Sequence, residues 1–122
     1  MNGYLILAHG SQRSESEQVL DSLMIKVRRT MGPVPVESAY LQFSDRNLRG
    51  GIQNLVAAGV THIGLVPLFL FDGVHVTQDI PREAAEILAD FPGVSLTMSQ
   101  HLGDDDRIAQ IILDRIGTIQ VP

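Results

Sequence analysis

The sequence contains no cysteine. This absence excludes disulfides, thiolate zinc sites, iron–sulfur ligation by this chain and thiol catalysis. Any metal ion that the chain binds must therefore be held by imidazole nitrogen or by oxygen.

An excess of basic residues and a long hydrophobic run are missing as well. Asp and Glu outnumber Lys and Arg by 14 to 9, for a net charge of -5, so no basic face favours nucleic acid or an anionic membrane. Residues 1–8 lack a basic region, and their apolar run is too short for a signal sequence or a membrane span. We therefore expect a cytoplasmic protein whose partners include neither nucleic acid nor a membrane.

The size and composition that are present fit one globular domain. The chain has 122 residues, of which 44% are hydrophobic and 19% charged, values that are ordinary for a folded domain of common size. We assign residues 1–117 to a single domain and residues 118–122 to a terminal tail.

Short apolar runs alternate with segments of helical spacing four times, a pattern that predicts an α/β fold with a parallel sheet. The predicted strands cover residues 4–8, 34–41, 63–71 and 94–98. The predicted helices begin at Ser14, at Ser44 or Asp45, near Gln78 and at Asp104. Pro81 is expected in the first turn of the third helix. Right-handed crossovers most economically give the strand order 2-1-3-4, with helices on both faces of a four-stranded sheet.

The four histidines differ in where this topology places them. Ligands of open α/β sheets bind beyond the carboxyl ends of the strands, where the strand order reverses. His9 directly follows the first strand and His75 lies in the loop after the third, so both flank this switch point. Adjacent strands lie about 4.8 Å apart, which allows two imidazoles to converge on one ion. His101 follows the fourth strand with only its position to support a role, and His62 begins the third strand at the opposite edge.

Gly10 and Ser11 are candidate ligand-binding residues beside His9. Gly10 allows a tight turn and a close approach of the backbone to a ligand. Both residues precede a predicted helix and could offer backbone amides to a carboxylate or a phosphate.

Two segments, residues 5–11 and 66–75, together resemble the CbiX and SirB family of small sirohydrochlorin cobaltochelatases and ferrochelatases. The specific part is the run Pro-Leu-Phe-Leu-Phe-Asp-Gly-Val-His at 67–75, and the resemblance continues over nearly the whole chain. It implies a three-layer chelatase-like fold that inserts Co²⁺ or Fe²⁺ into sirohydrochlorin or a related tetrapyrrole, in cobalamin or sirohaem biosynthesis. It implies no cofactor beyond this substrate metal. A chain of this length resembles one half of the longer two-domain members, which implies a homodimer.

The resemblance assigns His9 and His75 as catalytic residues and metal ligands. Neutral imidazole binds Co²⁺ and Fe²⁺, and also accepts Ni²⁺. With a pKa of about 6.5, imidazole can also take up the pyrrole protons that metal insertion releases.

Gln42 lies where many members of this family carry a glutamate. Its amide oxygen can coordinate or accept a hydrogen bond, but the amide cannot carry charge or take up a proton. The acid–base role of that position is therefore open.

Three arginines are predicted to bind the carboxylates of the tetrapyrrole, because guanidinium groups suit bidentate carboxylate contacts. They are Arg13, Arg46 and Arg82, expected in loops or first helical turns near the strand ends. For each of them a solvated surface position is an equally open interpretation.

Two other functions compete with metal insertion. A carrier that binds the metal or the tetrapyrrole without insertion would agree with the neutral Gln42. A histidine phosphatase is suggested by His9 and Gly10, but that chemistry needs an arginine where this chain has Ala8.

Overall fold

Strands and helices alternate along the whole described chain. The computed structural model describes residues 1–12, 15–71 and 73–119, and only the backbone of residues 74–77. The strands are β1 (Asn2–Ala8), β2 (Val36–Tyr40), β3 (His62–Pro67) and β4 (Ser95–Met98). The helices are α1 (Glu15–Met31), α2 (Leu48–Ala57), α3 (Val74–Leu88) and α4 (Asp106–Gly117).

The four strands form one parallel sheet in the order β2-β1-β3-β4, which confirms the predicted topology. β1 is hydrogen-bonded to β2 on one side and to β3 on the other. Ala8 lies opposite Tyr40, and Leu7 lies opposite Pro67. The carboxyl ends of these three strands are therefore level, and the strand order reverses at β1.

The main hydrophobic core lies between the sheet and helices α2 and α3. Alternation along β1 turns Leu5 and Leu7 toward this core, where neither has any exposed surface. The helices contribute Leu48, Ile52, Leu55, Ile80, Ala84 and Ile87. On the other face of the sheet, α1 packs Leu20 and Met24 against β2.

The start of α2 differs from the prediction. The helix begins at Leu48 and not at Ser44 or Asp45. Asn47 is its N-cap, and its side-chain oxygen accepts a hydrogen bond from the Gly50 N–H at 2.9 Å. The Ser44 hydroxyl instead accepts from the Arg46 N–H and donates to Glu17, so it stabilises the preceding loop.

The segment between β3 and α3 is also different. β3 ends at Pro67 although the apolar run continues to Phe71, whose side chain is 83% exposed. α3 begins at Val74, so His75 lies in a first helical turn and not in a loop. Pro81 lies inside this helix, where its ring nitrogen has no hydrogen to donate. The prediction placed Pro81 in the first turn, because a proline is best tolerated there.

The remaining boundaries deviate less. β2 and β4 are shorter than predicted, and α4 begins at Asp106 because Asp105 caps it through the Arg107 N–H at 2.9 Å. Ser14, the predicted cap of α1, lies outside the described residues. Over the described ranges, no helix combines the length and the apolar character needed to cross a membrane.

Candidate functional site

The hydrogen bonding between β1 and β2 continues past the ends of both strands. The Leu41 N–H donates to the Ala8 carbonyl at 3.0 Å, and the Gln42 N–H donates to the His9 carbonyl at 3.2 Å. These bonds bring Gln42 beside His9 at the carboxyl edge of the sheet. Backbone register, and not loop packing, sets their distance.

The imidazole of His9 is exposed and lies beside Gln42 and Phe69. The side-chain nitrogen of Gln42 lies 3.1 Å from His9 Nε2. The rings of His9 and Phe69 form a T-shaped pair with their centroids 6.1 Å apart. An amide nitrogen can only donate, so this contact is a hydrogen bond in the tautomer whose Nε2 carries no proton. A metal ion that binds Nε2 must therefore take the place of this hydrogen bond.

Position 10 requires glycine because the backbone there passes very close to the backbone of Gln42. Gly10 has a φ of 97°, which residues with side chains rarely adopt. A Cβ at this position would overlap the Gln42 carbonyl oxygen. Ser11, next along the chain, lines an apolar depression of about 340 Å³ together with Ala8 and Tyr40.

His75 is the second residue of α3, whose N-cap is Gly73. The chain reaches this point from β3, and the Leu68 N–H donates to the Leu7 carbonyl at 2.8 Å just past the strand end. The segments that carry His9 and His75 thus leave neighbouring strands at the switch point. The side chain of His75 is outside the described part of the structure.

Arg46 is held by acidic groups of α1. Its guanidinium lies 2.9 Å from Asp21 and 3.8 Å from Glu17, and over the ring of Tyr40 at 5.3 Å from the centroid. The hydrogen bond to Asp21 raises the pKa of Arg46 above its usual value. The positive charge predicted to bind a substrate carboxylate is therefore partly compensated within the chain.

The other two predicted arginines differ in their placement. Arg82 lies well inside α3 and not in a loop or a first turn, because the helix begins at Val74. It pairs with Asp79 at 2.7 Å and its side chain is 69% exposed. Arg13 is not among the described residues.

Tyr40, at the end of β2, was not predicted to have a role. Its hydroxyl is buried and has no hydrogen-bond partner among the described residues. Burial raises the pKa of this phenol above its usual value, so the hydroxyl stays protonated at neutral pH. Its position before Leu41 and Gln42 is the one sequence feature that could have drawn attention to it.

The other two histidines lie apart from His9. His101 follows β4, and its ring packs on Gly103 beside an open cavity of about 810 Å³. His62 begins β3 at the opposite edge, where Nδ1 lies 2.5 Å from the Ser95 hydroxyl. Among the side chains that the structure describes, no three His, Asp or Glu groups are clustered closely enough to hold a metal ion.

These features define a class: a small α/β protein with an open parallel sheet whose candidate site lies at the switch point. Residues 3–119 match the family model described as CbiX. The chain therefore belongs to the CbiX family.

Relatives of two lengths match this chain. It is 31% identical to the sirohydrochlorin cobaltochelatase of Methanosarcina barkeri over 121 residues, which cover 93% of each protein. It is 29% identical to the chloroplastic sirohydrochlorin ferrochelatase of Arabidopsis thaliana over 94% of this chain but 51% of the relative. The chain thus spans nearly all of the first relative and about half of the second.

Solved structures show the same fold. SirB from Bacillus subtilis with Fe³⁺ superposes with a TM-score of 0.83 at 26% identity, over 99% of this chain and 48% of SirB. A CbiX protein from Marinobacter aquaeolei has a TM-score of 0.82 at 23% identity, with 96% and 95% of the two chains covered. The chelatase-like fold is therefore shown.

We predict that Gly10→Ala destabilises the protein and moves Gln42 away from His9. The strained φ and the overlap with the Gln42 carbonyl together should lower the free energy of unfolding by about 1–3 kcal/mol. Urea denaturation measures this loss, and the NMR signals of the His9 ring report the displacement.

Gly32→Ala is the matched control, because Gly32 also has a positive φ, of 65°, but a Cβ there meets no atom within 4 Å. We expect a loss of roughly 1 kcal/mol and unchanged His9 signals. Equal effects of the two substitutions would show that the contact between Gly10 and Gln42 does not position the site.

Proposed function

We propose that this chain inserts a divalent metal, Co²⁺ or Fe²⁺, into sirohydrochlorin or a related tetrapyrrole, in cobalamin or sirohaem biosynthesis. The observation that carries the proposal is an exposed histidine at the switch point of a CbiX-family chain. The relatives named above, which match along more than nine-tenths of this chain, are sirohydrochlorin chelatases. The metal is a substrate here, and the proposal includes no further cofactor.

His9 and His75 are the proposed metal ligands and proton acceptors. A neutral imidazole offers one lone pair, which can bind the incoming ion or accept a proton that a pyrrole nitrogen loses. His9 Nε2 is bonded to the Gln42 amide, so binding of the ion there releases the amide. Because Gln42 cannot take up a proton, we assign proton removal to the two imidazoles and to water.

The open edge around His9 suits a wide planar ligand. His9 and Gln42 are exposed, and Leu70 and Phe71 after β3 present apolar side chains that are 51% and 83% exposed. Aromatic and aliphatic surfaces of this kind favour contact with the face of a macrocycle. We propose that this loop forms one apolar wall of the tetrapyrrole site.

Carboxylate groups of the tetrapyrrole need donors around the same edge. The proposed donors are the side chains of Arg13, Arg46 and Arg82 and the backbone amides of Gly10 and Ser11. Of these arginines, Arg46 is held in place by ion pairs with two acidic side chains, those of Asp21 and Glu17. A homodimer and a cytoplasmic location are also part of this proposal, the homodimer because longer relatives contain about twice this length of chain.

A carrier that binds metal or tetrapyrrole without insertion is the second candidate. The hydrogen bond between the neutral Gln42 amide and His9 favours it, since this amide cannot take up a proton. For a histidine phosphatase, Ala8 at the end of β1 offers no cation beside His9.

We predict that His9→Ala and His75→Ala each slow insertion of Co²⁺ into sirohydrochlorin on the order of 100-fold. Loss of one imidazole removes both a metal ligand and a proton acceptor. The absorbance change of the pigment after addition of Co²⁺, compared with a reaction without protein, measures the rate.

His62→Ala is the control, because His62 lies at the opposite edge of the sheet and should leave the rate within about two-fold. Tight pigment binding by the unmodified protein with no acceleration of insertion would reject the chelatase and favour the carrier.

We also predict that Gln42→Glu raises the insertion rate or changes the preference between Co²⁺ and Fe²⁺. A carboxylate beside His9 would add a charged metal ligand and a proton acceptor at the position that Gln42 now occupies. The same absorbance assay with each metal measures both effects. Gln53→Glu adds the same charge on an exposed part of α2 and should change neither. An identical metal profile in Gln42→Glu would show that this position takes no part in insertion.

A further inference from the structure

Phe43 has a backbone conformation that residues with bulky side chains rarely adopt. Its φ is 61°, and it is the one non-glycine residue with a positive φ in the part of the chain that the structure describes. In this left-handed region the Cβ comes too close to the following carbonyl oxygen. Glycine avoids this contact, and asparagine tolerates the region better than a large side chain does. A phenylalanine at this position therefore lowers the stability of the fold.

Hydrogen bonds on both sides of Phe43 hold it in this conformation. Before it, the Gln42 N–H donates to the His9 carbonyl at 3.2 Å. The Tyr40 N–H donates to the Arg46 carbonyl at 2.8 Å, and this bond closes the loop after β2. Strained residues persist where the surrounding structure fixes them, and they cluster at sites that bind ligands.

The side chain of Phe43 does not compensate for this strain by burial. The residue is 56% exposed, and apolar surface that stays in water contributes nothing to folding. Phe43 thus destabilises the backbone and returns little through packing. Because it directly follows Gln42, which contacts His9, its exposed ring belongs to the edge of the sheet that carries the candidate site.

The loops after β2 and β3 carry exposed aromatic rings on opposite sides of His9. Phe43 follows the end of β2 by three residues, and Phe71 follows the end of β3 by four. β1 lies between these strands, which are therefore about 10 Å apart. His9 directly follows β1, and Phe71 is 83% exposed. The three residues thus leave the sheet in the order Phe43, His9, Phe71.

We propose that Phe43 is a substrate-binding residue whose ring packs on the tetrapyrrole from the side of β2, opposite the apolar wall after β3. The inference rests on the proposed function, because that function supplies the planar, conjugated macrocycle. A phenyl ring packs favourably on such a surface, face to face with an offset or by its edge. The constrained backbone keeps the ring at the edge of the sheet, so less conformational freedom is lost when the pigment binds.

The loop after β2 offers a second group that fits the same ligand. Arg46 lies at the far end of this loop, and its guanidinium is 42% exposed beside Asp21 and Glu17. Phe43 presents an apolar ring and Arg46 presents donors for a carboxylate. A ligand with a planar apolar body and carboxylates at its periphery can use both groups of the loop, whereas a purely apolar ligand would use only Phe43.

We predict that Phe43→Asn weakens pigment binding without weakening the fold. Asparagine tolerates the left-handed backbone, so the midpoint of urea denaturation should stay the same or rise. Loss of the ring should raise the dissociation constant for sirohydrochlorin, measured by absorbance titration without metal, roughly ten-fold. Because the ring contacts the pigment before and during insertion alike, KM should rise while kcat stays within about two-fold.

Two further variants serve as controls. Phe43→Tyr keeps the ring and should keep the affinity for the pigment within about two-fold. Ile25→Ala removes apolar surface from a residue of α1 that is 59% exposed, and it should also leave this affinity unchanged.

Unchanged pigment affinity in Phe43→Asn would overturn the proposal. If the mass measured by light scattering then changed, Phe43 would be assigned to a contact between protein molecules. A lower urea midpoint with an unchanged KM would assign it a structural role. Weaker pigment binding by Phe43→Asn, together with no acceleration of insertion by the unmodified chain, would support the inference and contradict the proposed metal insertion alone.

Discussion

Hydrogen bonding of β1 to strands on both sides is the constraint on which the candidate site depends. β1 is held between β2 and β3, and Leu5 and Leu7 anchor it in the main core. Its pairing with the β2 segment continues through Leu41 and Gln42, so the backbone fixes where His9 and Gln42 stand. The approach of Gln42 to His9 therefore follows from strand pairing.

The contact between Gln42 and His9 gives this site its particular chemistry. A neutral amide orients the imidazole, and exchanging that hydrogen bond for a metal ion costs only about 0.5–1.5 kcal/mol. The amide thus orients the imidazole, and the ring nitrogen of His9 can still bind the ion. Phe69 forms a T-shaped pair with the same ring, and Arg46 is held at the end of β2 by the acids of α1. The edge of the sheet is therefore ordered around an accessible imidazole.

Local patterns in the sequence predicted the strands and their order in the sheet. They did not predict where α2 begins or where β3 ends. The alternation of apolar runs and helical segments was enough for the order 2-1-3-4 and for His9 at a strand end. The predicted start of α2 was wrong because Ser44, Asp45 and Asn47 all have side chains that can cap a helix. The hydrogen bond from Ser44 to Glu17, a residue of α1, holds Ser44 in the loop before the helix. The apolar run to Phe71 hid the end of β3, since hydrophobicity alone does not distinguish a buried strand from an exposed loop.

The contacts around the site depend on residues far apart in the chain. Arg46 pairs with Asp21, and Gln42 meets His9 across 33 positions, which no local spacing reveals. The left-handed backbone of Phe43 was equally hidden, because it depends on the hydrogen bonds that close the loop after β2.

A crystal structure of the protein with bound Co²⁺, located by its anomalous scattering, tests the central claim most directly. We predict one ion held by imidazole nitrogens of both His9 and His75, with the Gln42 amide displaced if the ion takes Nε2 of His9. Cobalt bound at His101 or His62, with the bond between Gln42 and His9 intact, would contradict it.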